Sequence, residues 1–168
     1  MTTASDRIPA PRPVPFVLAG GLVAGTLDLA YARAFWALKH DVPARRILQS
    51  VAAGLLGDAS FEGGVATAAL GLGLHFFIAI SMSVAYYLVA RRAPLLRQRP
   101  LLCGAAYGLV LYVIMNYVVV PLSAAGPGSK DPVWIGLSIA VHALLIGIPI
   151  ALFARRAVGA TGIVPEAG

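Results

Sequence analysis

Four long apolar runs, at about 16–38, 65–90, 101–122 and 133–154, dominate the chain, and its polar residues gather between them. At about 1.5 Å of rise per residue, each run is long enough as a helix to cross a hydrocarbon core of about 30 Å. Lipid offers no partner to backbone N–H and C=O groups, so spans of this length fold as helices. The pattern predicts an all-α membrane protein, a four-transmembrane-helix bundle in contact with the lipid bilayer.

The connection after the first run has a periodicity of its own. Ile47, Leu48, Val51, Leu55 and Leu56 recur at near-helical spacing beside Arg45, Arg46, Gln49 and Ser50. The segment, about 44–57, is too short to span and predicts an interfacial amphipathic helix. Pro121 and the stretch Ala125-Gly126-Pro127-Gly128-Ser129 mark the turn between the last two spans. Residues 1–15, with Pro9, Pro11, Pro13 and Pro15, read as a disordered tail and 157–168 as a second, leaving 16–156 as the membrane domain. Ala30-Tyr31-Ala32 imitates a signal-peptide cleavage site, but Asp28 interrupts the apolar core before it and Ala34-Phe35-Trp36 continues the run, which reads as a span.

Composition agrees with this reading. Of 168 residues, 59% are hydrophobic and 12% charged, with a mean hydropathy of +0.83, which excludes a water-soluble globule. Lys and Arg outnumber Asp and Glu by 13 to 7, but they sit at the ends of the runs and form no stripe that could follow a phosphate backbone, so nucleic acid is not an expected partner. Eight of them (Arg7, Arg12, Arg91, Arg92, Arg97, Arg99, Arg155, Arg156) fall on one side of the bundle and four (Lys39, Arg45, Arg46, Lys130) on the other, which predicts cytoplasmic termini. The single cysteine, Cys103, allows neither an intrachain disulfide nor a cysteine metal motif. No phosphate loop, HExxH, nucleophile elbow or GxGxxG is present, which points away from a conventional enzyme.

Four ionisable residues remain inside the runs: Asp28, Arg33, His75 and His142. A central Asp costs roughly 2.5–3.5 kcal/mol on an insertion scale, so each requires a reason. Counted from the boundary nearest the 39–64 connection, Asp28 and His75 lie about 15 Å deep and His142 about 13.5 Å. Asn116 is about 9 Å in, and Tyr112 is one turn further along. Asp28 continues the row Gly21, Gly25, and His75 continues Gly64, Ala68, Gly71, small-residue faces that pack on other helices. Both are therefore expected to point into the bundle. His142 shares its face with Ser138 and Pro149, and Arg33 is close enough to the boundary to snorkel.

A weak repeat accompanies these residues. The first and third spans carry Gly21-xxx-Gly25 and Gly104-xxx-Gly108, and the second and fourth each carry one histidine and end in Ala-Arg-Arg-Ala. Two parallel hairpins, related by an axis along the membrane normal, are the expected arrangement.

Three functions fit this inventory. In the first, Asp28, His75, Tyr112, Asn116 and His142 form a site for a proton or a small solute, with Asp28 as its proton-responsive member. In the second, the same polar groups are interhelical glue in a membrane-structural or partner-binding protein without a cofactor. In the third, His75 and His142 clamp a haem b, with Gly71 and Gly73 leaving room for the macrocycle. A two-histidine, one-carboxylate metal site is less well supplied with ligands and supporting groups. A homodimer enclosing a pathway, or a lipid as the ligand, is compatible with the first reading.

The run Leu74-His75-Phe76-Phe77-Ile78 through Ala85-Tyr86-Tyr87, then Gly104-Ala105-Ala106-Tyr107-Gly108, Pro121-Leu122 and His142, resembles the small uncharacterised bacterial inner-membrane proteins of the YagU type. The likeness covers about 64–153. It implies a four-span protein of the bacterial inner membrane with His75 and His142 at matching positions, and implies no activity.

Overall fold

Proline in the first turn opens α1 (Val14–His40), the short α4 (Pro94–Gln98), α5 (Pro100–Leu122) and α6 (Pro132–Ala160). A missing N–H costs nothing there, and the fixed φ is already helical. With α2 (Ala44–Leu56) and α3 (Gly64–Ala90), these make up the computed structural model of the chain, which describes residues 12–160. Of the tails expected at 1–15 and 157–168, residues 1–11 and 161–168 lie outside the described residues, while 14–15 open α1 and 157–160 close α6. Among the described residues there is no strand, and α1, α3, α5 and α6 are long and apolar enough to cross a membrane. The chain is an all-α four-helix bundle.

The helix ends have local causes. Asp41, at φ 51°, closes α1 in the left-handed conformation; its N–H donates to Ala37 O (3.2 Å) and that of Val42 to Trp36 O (3.1 Å). Asp131 caps α6, its Oδ1 accepting from the N–H groups of Val133 (2.9 Å) and Trp134 (3.3 Å). α6 runs past the predicted limit to Ala160 because Ala154, Ala157 and Val158 extend its buried stripe along α1.

α1 packs between α3 and α6, while α5 packs on α6. In each hairpin the glycine pair of the first helix seats the second. Gly21 and Gly25 abut Ile80 and Phe76 of α3, and Gly104 and Gly108 abut Gly147, Ile148 and His142 of α6. Gly108 permits backbone-to-backbone contact, since a Cβ there would overlap the His142 carbonyl. Ser83, fully buried, ties α3 to α1 by donating to Val17 O at 2.8 Å.

α3 and α5 meet near the end that carries the 91–99 connection. The Tyr86 and Tyr107 rings cross at 5.0 Å, and Tyr107 Oη donates to Met82 O at 2.8 Å. Toward the opposite end, where α2 lies, the space between them is a cavity.

α2 is sunk against the first two turns of α3. The Leu48 carbonyl occupies the place of a Cβ at Gly71, about 10 Å along α3 from its start. Gln49, 2% exposed, donates through Nε2 to Gly64 O (3.1 Å) and Thr67 Oγ1 (3.2 Å). The row Gly64, Ala68, Gly71 therefore receives α2, and His75, one turn on, reaches α1.

α5 and α6 each widen into a π segment, Met115–Val119 and His142–Gly147, just before Pro121 and Pro149. A proline withholds the N–H that the carbonyl four residues back requires, and its ring crowds that carbonyl, so a local π adjustment relieves both. Pro121 was expected to mark the turn. It sits instead in the last helical turn of α5, and the chain leaves the helix at Ser123.

Candidate functional site

Successive turns of one face of α1 bring Gly25, Asp28, Ala32 and Trp36 into the wall of a cavity of about 760 Å³. α3 contributes His75 and Met82, α5 contributes Met115 and Asn116, and α6 contributes Trp134, Ser138 and His142. α2 and the 125–129 loop border the same space.

His75 is oriented by α1. Its Nε2–H donates to the carbonyl of Gly25 at 2.8 Å, and its ring stands edge-on to Phe76 at 5.4 Å. Because a carbonyl only accepts, this bond places the proton on Nε2. His142 is held within its own helix: Nδ1–H donates to Ser138 O at 2.9 Å, and the ring stands edge-on to Tyr112 at 5.4 Å. The face that His142 shares with Ser138 thus looks into the bundle. In the neutral imidazoles, Nδ1 of His75 and Nε2 of His142 remain as acceptors with no partner among the described residues.

Asp28 lines the same cavity with both histidines in electrostatic range. Its carboxyl takes no hydrogen bond from the described residues. Asn116 borders the cavity, but its Nδ2 donates to Tyr112 O at 2.9 Å within α5. Tyr112 itself is buried behind the His142 ring and is not in the cavity wall. Arg33 is exposed on the helix surface.

Several contributors were not singled out from the sequence. Tyr31, one turn beyond Asp28, shares a hydrogen bond with Ser138 Oγ (3.3 Å), reaches Trp134 O (3.4 Å) and stacks on the Trp134 ring at 5.1 Å. Trp36 and Trp134, the two tryptophans of the chain, meet at 5.2 Å in the wall. The Arg46 guanidinium lies over Phe61 at 4.5 Å, with Asp58 also lining the cavity. Beyond them, Lys39 and His40 contact Asp131 at 2.5 and 3.4 Å. The hydrogen bond from Lys39 is the main reason the Asp131 carboxyl is held at about 2, below its ordinary 3.8. The signal for the aromatic wall was present in the spacing Asp28, Ala32, Trp36, which follows one helical face.

Of the two glycines expected to leave room for a macrocycle, Gly71 has its space taken by the Leu48 carbonyl of α2, and Gly73 has nothing within 4 Å of it. Ligation of iron through Nε2 of both histidines would also break the bond from His75 to Gly25. Among the described residues, no three His, Cys, Asp or Glu side chains close around a point that could hold a metal ion. No family model matches the chain, and neither a curated protein nor a solved structure matches it.

Proposed function

We propose that the chain is a multi-pass protein of the bacterial inner membrane that binds a small solute in this cavity and couples its binding or transport to a proton on Asp28. Both termini face the cytoplasm and the α2 end faces outward, as the eight-to-four distribution of basic residues favours. The resemblance to YagU-type proteins supports the same setting. One observation carries the reading: a carboxyl and two histidines, which among the described residues leave the carboxyl and one nitrogen of each ring without a hydrogen-bond partner, line one cavity of about 760 Å³. A carboxyl serving only to join helices would be expected to have at least one hydrogen-bond partner.

Both tryptophans line the cavity, so the protein's own fluorescence reports on it. Lowering the pH of the purified protein gives a fluorescence change with a component that Asp28→Asn removes. An unchanged transition in that variant overturns the role of Asp28.

The second reading, polar glue, is favoured by the ring N–H bonds of both histidines to carbonyls inside the bundle. It requires Asp28→Asn to match the wild type at every pH while Asp28→Leu destabilises the fold.

A further inference from the structure

The chemistry of the cavity's lining restricts what it can bind. Its lining offers acceptors: the Asp28 carboxyl and, in the neutral imidazoles whose N–H is given to a carbonyl, Nδ1 of His75 and Nε2 of His142. The Tyr31 hydroxyl is engaged with Ser138 and Trp134 O. Arg46 is the one Lys or Arg among the lining residues, and it lies over Phe61 in a wall that also carries Asp58. An anion would find no cation beside Asp28 to balance its charge, since Arg46 is the one Lys or Arg in the lining. Trp36 and Trp134 meet in the wall and add apolar surface to it. A cavity of about 760 Å³ suits an organic molecule, and its acceptors do not close around a metal ion.

We propose that the cavity binds a small organic ammonium ion, with its charge on the Asp28 carboxylate and its carbon skeleton along the apolar wall to which Trp36 and Trp134 contribute. The cation and a proton compete for the Asp28 carboxylate: the ammonium enters as the carboxylic acid proton leaves, so charge in the cavity is conserved. This inference rests on the proton-linked reading above. The groups that face Asp28 are His75 from α3, His142 from α6 and Tyr31 from α1 itself. α2 supplies Arg46 near Asp58, and α5 supplies the uncharged Asn116 with Tyr112 behind it.

The test uses n-butylammonium, n-butanol and butyrate, three optically silent probes with the same chain and different heads, added to the full-length purified protein. Butylammonium should give a saturable change in tryptophan fluorescence and release about one proton per ligand bound, read with a dye in weak buffer. Its apparent affinity should fall about tenfold for each pH unit on the acid side. Butanol and butyrate should give neither signal. Asp28→Asn should lose at least about tenfold in affinity together with the proton release, and Asp28→Glu should recover part of both. Equal binding of butanol or butyrate, or binding of butylammonium without proton release, overturns the proposal without recourse to a variant. If pH-difference infrared spectra show Asp28 titrating while butylammonium does not bind, the ammonium class is wrong and the proton site stands. If neither signal appears, both fall.

Discussion

Gly108→Ala places a methyl group where α5 and α6 touch backbone to backbone. The new Cβ would stand 2.7 Å from Ala143 Cα as well as overlapping the His142 carbonyl. Carbon contacts settle at about 3.5–4.0 Å, so the helices must part by about 1 Å just where His142 is anchored. Overpacking of this kind costs about 1–3 kcal/mol. Alanine also favours a helix over glycine by about 0.8–1.0 kcal/mol, which would mask part of the effect. Gly136→Ala supplies the control, because the same helix-favouring change occurs in α6 with nothing within 4 Å of the added methyl. The difference between the two variants therefore isolates the contact. Unfolding in an SDS mole-fraction titration, followed by far-UV circular dichroism, should place Gly108→Ala below Gly136→Ala by about 1–3 kcal/mol. Equal stabilities would refute the close packing of α5 on α6 and, with it, the seating of His142.

Gln49→Ala removes the buried amide that ties α2 to α3, at a cost of about 1–3 kcal/mol. Amide hydrogen exchange should rise across 44–56 and stay unchanged in the second half of α3; unchanged exchange in α2 would contradict the docking described. Asp131 adds stability that is complete above its ordinary 3.8 and is lost as pH falls through about 2, because the folded form holds the carboxylate beside Lys39. In Lys39→Met, the carboxyl titration read by carbon NMR should move from about 2 toward 3.8, and a midpoint left at about 2 would remove Lys39 as the cause. Orientation is checked with Glu62→Cys in a Cys103→Ser background, since Glu62 is exposed at the α2 end. An impermeant thiol reagent should label it in intact cells, and labelling only after permeabilisation would reverse the orientation.

The four helices were legible because length and apolarity alone commit a segment to span, and no tertiary information is needed for that. Asp28 and His75 were legible for a related reason: an ionisable group in a span is expensive, and each continues a row of small residues. That row on α3 was read correctly as a packing face, but its partner was not, since nothing local says that the Leu48 carbonyl of α2 will fill the space at Gly71. The same contact takes up the space at Gly71, one of the two glycines expected to make room for a macrocycle. Tyr112 was placed with the cluster by depth alone, whereas its ring packs behind His142. Depth is one coordinate, and the phase of one helix against another decides the rest. The π segments before Pro121 and Pro149 had a visible cause in the prolines, but whether a helix answers a proline by kinking, ending or widening depends on its neighbours. The aromatic wall draws on α1 and α6 together, and Trp36 and Trp134 are 98 positions apart in the sequence.

The central claim is that Asp28 exchanges a proton in a cavity it shares with His75 and His142. The direct measurement is the pH-difference infrared spectrum of the membrane-reconstituted protein between about pH 5 and pH 8, compared with that of Asp28→Asn. The account predicts a carboxylic acid C=O band that grows as pH falls and is lost in the variant whose amide cannot titrate. A spectrum in which Asp28→Asn reproduces every wild-type band would contradict it.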